Sequence, residues 1–515
     1  ALLDGERMPL AYSALALAAV YAVLAFALIR RERMRVLGES FAVLSVGFAT
    51  LAVPLALSAR STACTFALEG AALVWLGFRQ QRRLPRWAGL ALQVLAAGAF
   101  AVSVSFDAGR ADTIAIANGG FLGALLIAGS AFVSAWLHAT RGANTVLAAL
   151  LYVWGLLWWL GAGMREIDRF VPHTRMTEAT LAFVALTLLL AAAAWNRTKR
   201  SAPAWTAAAG LALGVAFAFL YAADDVRPYL GWGLAAYAAY AVAGFIALRL
   251  LADARDSVLT LAHGGWVWAW IAAFALALRE VATDAGLAEG WRDGLTALPL
   301  LVAWMLALLR PNVIAMPVAS RFDVWRSRLL GSQAIVALVA FVLLLLQPGA
   351  SVPLPFVPIF NPVELAQLAT LACLARWLAD AETAPDLSKR RLALLVACGF
   401  AFVTAATLRG VHHLANVPWN EEIGSSMVAQ TSLTVVWSVL GVVGWVMGSK
   451  RGSRPLWLAG AVLMGIVLAK LLLIDRTHLG SGFGIASFIA YGLLCTVIGY
   501  FAPAPPREPA AGGAA

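Results

Sequence analysis

The sequence predicts an all-α polytopic integral membrane protein on three observations. Apolar residues make up 62% of its 515 positions, charged residues only 13%, and the apolar residues gather into about seventeen runs of membrane-spanning length. Soluble domains hold about 45–50% apolar and about 25% charged residues. A chain this apolar cannot hide its surplus in a water-soluble core, so its solvent must be lipid. That excludes a soluble enzyme, a nucleic-acid binder and a secreted disulfide scaffold. The net charge of +11 would elsewhere suggest nucleic acid, but here the basic residues sit in short clusters between apolar runs.

A spanning helix needs about 20 mostly apolar residues. In chain order the runs are 8–29, 36–57, 62–78, 87–106, 114–137, 143–163, 178–195, 204–222, 230–251, 260–279, 293–309, 329–347, 363–379, 391–408, 425–447, 456–474 and 482–502. The loops between them alternate in charge. Odd-numbered loops carry RRERMR (30–35), RQQRRLPR (79–86), NRTKR (196–200) and KRGSR (450–454), and with their fellows and Arg507 they hold 26 of the 38 basic residues. The positive-inside rule puts these loops in the cytoplasm, and the His-, Asp- and Glu-rich loops on the other side. Cys64, Cys373, Cys398 and Cys495 each lie inside an apolar run without a C-x-x-C pair, so they read as small hydrophobes rather than metal ligands or a disulfide framework. The start ALLDGERMPL lacks the charged region and cleavage site of a signal peptide, so the chain reads as a fragment or processed form with upstream spans missing.

An internal repeat is expected as well. Spans 4, 8, 12 and 16 each follow a basic loop and a tryptophan: Trp87, Trp205, Trp325 and Trp457. Spans 6, 10 and 14 end in GMREI (Arg165), ALREV (Arg279) and TLRGV (Arg409). Both series step by roughly 120 residues, which four spans explain. Four is even, so the copies share one orientation, giving parallel rather than inverted repeats. The approximate copies are 62–177, 178–292, 293–424 and 425–502. All lie within a transmembrane domain over 1–502, and a disordered Pro/Ala-rich tail follows at 503–515.

The stretches LRGVHHLANVPW (408–419), RGSRPLWLAGAVLMGIVLAKLLLID (451–475) and ASFIAYGLLCTVIGYFAPAPP (486–506) resemble a family of large bacterial membrane proteins, domain of unknown function 2339 (DUF2339). FATLAVPLAL (48–57) and ALEGAALVWLGFRQQRR (67–83) are similar to it too, although the resemblance is strongest over the C-terminal two thirds. It implies a multi-pass protein of the bacterial inner membrane, with a polar region upstream through which a protein partner would attach. It supplies no reaction and no catalytic residues.

The leading candidate site is the loop RGVHHLANVPWNEE (409–422). It offers a cation (Arg409), two imidazoles (His412, His413), an aromatic platform (Trp419) and carboxylates including Glu421. Histidine exchanges protons near neutral pH, and a carboxylate can orient it. The competing reading is an interfacial loop with Trp419 anchored among headgroups. Adjacent histidines lack the i, i+4 spacing of a helical metal site, so no metal or other cofactor is expected. In the other copies Arg165 with Glu166, and Arg279 with Glu280 and Asp284, either satisfy each other at the interface or hold phosphate or carboxylate groups. DRTHLGSGFG adds Asp475, Arg476 and His478. Glu69, inside span 3, is a costly intramembrane carboxylate, either a proton-relay group or a hydrogen-bonded packing residue. Asn361, Pro362 and Glu364 read as a helix start.

Three functions stay open on the sequence. One is binding or processing of a lipid-linked or anionic envelope substrate in an outward-facing basin lined by Arg165, Arg279 and Arg409. The second is a non-catalytic scaffold or assembly subunit, and the third a transporter or flippase. Membrane lipids are partners in every case, and nucleic acid in none.

Overall fold

The computed structural model describes residues 7–29, 34–56, 59–106, 114–142, 144–224, 226–318, 321–380, 390–473 and 482–501. Among them there are seventeen long helices in the order the apolar runs require, and no strand. They are α1 (Arg7–Ile29), α2 (Arg35–Ala56), α3 (Ala59–Arg79), α4 (Arg83–Phe106), α5 (Gly119–Arg141), α6 (Thr145–Phe170), α7 (Met176–Thr198), α8 (Ser201–Ala223) and α9 (Gly231–Leu250). There follow α10 (Asp256–Asp284), α11 (Glu289–Leu309), α12 (Asp323–Leu345), α13 (Pro362–Leu378), α14 (Arg391–Leu414), α15 (Met427–Lys450), α16 (Arg454–Leu473) and α17 (Gly482–Phe501). Fourteen of the described helices are long and apolar enough to cross a membrane. The protein is therefore an all-helical, multi-pass membrane protein. The tail 503–515 lies outside the described residues.

The helix ends differ from the apolar runs where polar residues still find partners. Helix α5 starts at Gly119 rather than 114 because the Asn118 side chain caps it, accepting from the Phe121 N–H. Helices α6 and α14 run past the last apolar residue, to Phe170 and Leu414. Hence Arg165, Glu166, Arg409, His412 and His413 ride on final helical turns and not on loops.

The chain folds into two compact units, residues 1–187 with 198–203, and residues 188–197 with 204–515. In the first, α3 packs on both α4 and α5, and α5 on α6. Its core is built from Ala63, Phe66, Ala67, Leu92, Ala96, Phe100, Ala124, Ile127 and Ala162. The crossing of α3 on α4 is possible only because Gly70 meets Gly89. A Cβ on Gly89 would lie 2.5 Å from the Gly70 carbonyl oxygen. Such close backbone approach is how membrane helices gain van der Waals contact without a hydrophobic driving force. Gln93 on α4 donates to the Ser134 hydroxyl on α5 at 2.6 Å.

In the second unit α11 packs on α12 and α13, and α15 on α16 and α17. Leu301, Leu344, Val363 and Ala366 form one core cluster, and Val442, Met464 and Ile498 another. The tryptophan series is not uniform. Trp87 and Trp205 are exposed, as interfacial belt residues should be, but Trp325 is buried and donates through Nε1 to His263 Nδ1 at 3.1 Å. Of the cysteines, Cys373 is buried and Cys495 exposed.

Two helix starts are built alike. Ile116 and Ile359 both adopt left-handed backbone (φ 66° and 73°), and each donates its N–H to a glutamate, Glu166 at 2.8 Å and Glu364 at 2.5 Å. Two residues on, Asn118 and Asn361 cap α5 and α13 by accepting the N–H of the third helical residue, Phe121 and Glu364. Each asparagine also donates Nδ2 back to the carbonyl four residues earlier, Ile114 and Val357.

Candidate functional site

Within the first unit α4, α5 and α6 line a half-open cavity of about 350 Å³. Phe100 comes from α4, Gly120, Phe121 and Ala124 from the first turns of α5, and Trp154, Leu157, Trp158, Gly161 and Ala162 from α6, with Arg165 and Glu166 at the polar end. The aromatic wall is organised edge to face, with Trp158 on Phe100 at 5.2 Å and Trp154 on Trp158 at 5.9 Å. Glycine and alanine at 120, 124, 161 and 162 leave the space that larger side chains would fill.

The two charged residues at the polar end do not pair with each other. Glu166 accepts from Asn118 Nδ2 at 2.8 Å through one oxygen and from the Ile116 N–H at 2.8 Å through the other. Arg165 makes no hydrogen bond and no ion pair among the described residues, so the expected mutual satisfaction of Arg165 and Glu166 is absent. Glu166 is spent on holding the α5 cap, which leaves a half-buried guanidinium facing a mostly apolar cavity.

The other two arginines of the expected series, both in the second unit, are satisfied from within the chain. Arg279 donates to Asp293 at 2.8 Å. Arg409 is fully buried on α14 and reaches the C-terminal end of α12, where the last carbonyls lack intrahelical partners. It donates to the Leu344 and Gln347 carbonyls and to Gln367 Oε1, and lies 3.6 Å from Glu364, itself fully buried. Gly349, in left-handed backbone, makes room for it, since a Cβ there would stand 3.1 Å from Arg409 Cδ. Arg409 is thus closed off from solvent and does not line an open basin. Glu364 starts α13 as the sequence suggests, and also supplies the carboxylate beside Arg409.

The histidine pair continues the same closure. His413 donates through Nε2 to the Pro348 carbonyl at 2.9 Å and stacks on Phe356 at 4.1 Å. His412 donates through Nδ1 to the Val417 carbonyl at 2.6 Å, and Trp419 through Nε1 to the Leu346 carbonyl at 3.1 Å. Glu421 is exposed. Among the described residues no hydrogen bond or ion pair joins it, or Arg409, to either histidine. Each imidazole keeps one ring nitrogen outside these bonds.

Asp284 pairs at the surface with Arg227 at 3.0 Å and accepts from the Tyr229 hydroxyl at 3.4 Å. Partial burial, then the Asp284 charge, pushes the Tyr229 phenol above its usual range. Glu280 lies on the same helical turn as Arg279, half-buried. Glu69 is exposed on α3 and has no hydrogen bond among the described residues. Asp475, Arg476 and His478 lie outside the described residues. Sequence reasoning missed Asn118, Phe121 and the Trp154–Trp158 wall, although Asn-Gly-Gly (118–120) is a legible helix start. It also missed Lys470, buried on α16 and donating to the Gln430 carbonyl and the Thr434 hydroxyl at 3.1 and 2.6 Å.

Compared with known families, the chain matches the profile described as "Predicted membrane protein (DUF2339)" over residues 1–505, well beyond the C-terminal two thirds. No curated protein and no solved structure matches it.

Proposed function

The chain belongs to the DUF2339 family of predicted membrane proteins, and we propose that its first unit binds an amphiphilic molecule with an anionic head. Arg165 holds the head, and the Phe100–Phe121–Trp154–Trp158 wall takes the apolar part. One observation carries this reading: among the described residues Arg165 has no hydrogen-bond or ion-pair partner, while it stands at the polar end of a cavity of about 350 Å³. Ligand sites are concave and mostly apolar, with a few polar groups fixing orientation. Guanidinium is the side chain best matched to phosphate or carboxylate.

The four-span repeat supports the reading and is part of the proposal. In that alignment Phe121 corresponds to Glu364, each being the residue whose N–H the capping asparagine accepts, and Ala124 corresponds to Gln367 one turn on. Glu364 and Gln367 are the side chains that meet Arg409. Among the described residues the anion that the chain supplies beside Arg409 has no counterpart beside Arg165, where in this proposal a ligand supplies it. The protein belongs, in this proposal, to the bacterial inner membrane, with the basic loops cytoplasmic and the Arg165 end facing outward.

The test uses the full chain in nanodiscs and a pyrene-labelled phosphatidic acid, read by energy transfer from tryptophan. Binding should weaken about tenfold or more in Arg165→Gln, the loss of one or more charge-assisted hydrogen bonds of about 1.5–3 kcal/mol. A neutral pyrene-labelled diacylglycerol should show no such dependence. Equal binding of the two lipids, or of parent and variant, refutes the reading.

A further inference from the structure

The segment between α12 and α13, PGASVPLPFVPIFN (348–361), contains no charged residue and four prolines, Pro348, Pro353, Pro355 and Pro358. Val352, Leu354, Val357, Ile359 and Phe360 are between 44% and 74% exposed. So much exposed apolar surface in one loop marks an interaction face. We propose that this loop is a membrane-embedded strap whose apolar side chains sit among the lipid chains at the level where α13 begins.

The loop is fixed rather than free. Its start is held by His413 and Arg409, through the Pro348 and Gln347 carbonyls. Its middle is tied to the start of α11, where the Ala288 N–H donates to the Val352 carbonyl at 3.1 Å and Trp291 Nε1 to the Ser351 carbonyl at 2.9 Å. Its end is held by Glu364 on α13. These bonds keep it at the level of the helix ends, so it does not project as a free loop.

Three features choose lipid over other occupants. Helix α13 has 17 residues, a length of about 26 Å at about 1.5 Å per residue, which falls short of the roughly 30 Å hydrocarbon core. An apolar strap at its first residue continues the hydrophobic surface that the helix lacks. The exposed strap residues also run into exposed apolar residues of the adjoining helix ends, Leu343 and Leu346 on one side and Leu365 on the other. Finally, irregular backbone is costly against hydrocarbon because its N–H groups go unpaired. The strap lowers that cost without removing it: its four prolines have no N–H, and Leu354, Ile359 and Phe360 donate theirs within the strap or to Glu364.

The experiment places a nitroxide at Phe360→Cys, and separately at Leu354→Cys, in the full chain reconstituted in phosphatidylglycerol–phosphatidylethanolamine vesicles. Glu421→Cys serves as the aqueous control. Strap labels should relax with oxygen severalfold more than with a water-soluble nickel chelate, and the control should show the reverse. Strap labels as open to the nickel chelate as the control overturn the proposal in favour of an aqueous loop. Labels closed to both reagents overturn it in favour of a second copy of the chain. Using two exposed positions keeps the result readable if one variant fails to fold.

Discussion

Replacing Arg409 by methionine should destabilise the protein by about 3–5 kcal/mol, the cost of leaving one member of a buried ion pair without the other. The estimate follows from its surroundings. Arg409 and Glu364 are both fully buried, and the guanidinium also serves the Leu344 and Gln347 carbonyls and Gln367. Methionine preserves much of the apolar volume but strands the Glu364 carboxylate. Glu364→Gln removes that charge while keeping an oxygen for the Ile359 N–H. The double variant should therefore be more stable than Arg409→Met alone. Two orphaned helix-end carbonyls at about 1 kcal/mol each would remain as its residual cost. The coupling between the two substitutions should be at least about 1.5 kcal/mol, against about 0.5 kcal/mol for independent sites. Reversible unfolding from mixed micelles, followed by tryptophan fluorescence, measures all four corners of the cycle. Additive losses, or an Arg409→Met variant as stable as the parent, would refute the closed cluster and return Arg409 to a solvent-open basin.

Three further outcomes are expected. Asn118→Ala removes both the α5 cap and the Glu166 partner, and should cost about 1–2 kcal/mol, with hydrogen-exchange protection lost first over residues 119–125; unchanged exchange there contradicts the capping role. Grafting the second-unit anion with Phe121→Glu and Ala124→Gln should abolish binding of the phosphatidic acid probe while the protein stays folded, and undiminished binding would separate the two sites chemically. Cysteines at Arg82 or Arg390 should be shielded from an impermeant maleimide in intact cells and one at His173 labelled, the reverse pattern inverting the proposed orientation.

The number and order of the helices were legible because lipid imposes one coarse rule, length and apolarity, which fourteen of the seventeen described helices meet outright. Helix ends were less legible, since they depend on where polar groups find partners. The apolar run before Phe121 begins at 114, yet the Asn118 side chain sets the start at Gly119. His412 and His413 read as loop residues, but the carbonyls of Val417 and Pro348 hold them on the last turn of α14. The cavity was illegible for a different reason. Its walls are Phe, Trp, Gly and Ala, residues that composition assigns to any membrane helix, and only their convergence from three helices makes a space. The rich titratable cluster at 409–422 drew attention because its chemistry is visible in the sequence. Most of that chemistry is consumed in closing the end of α12.

That contrast bears on how function is sought in a chain of this kind. A charged side chain at the end of a membrane helix is expensive to leave unpaired, so most such residues acquire partners from the same chain. Asp293 does this for Arg279, and Glu364 with Gln367 does it for Arg409. A cluster rich in donors and acceptors is therefore as well suited to structural closure as to catalysis. The informative residue is the one whose surroundings could have supplied a partner and did not. Glu166 is adjacent to Arg165 in sequence and carries the right charge, yet both of its oxygens accept from the α5 cap. At the α13 start the equivalent cap is served by a glutamate that also faces the arginine. The same local device thus leaves one arginine satisfied and the other without a partner among the described residues, beside a cavity. That difference in partner accounting, rather than any density of reactive side chains, makes Arg165 the residue to test first.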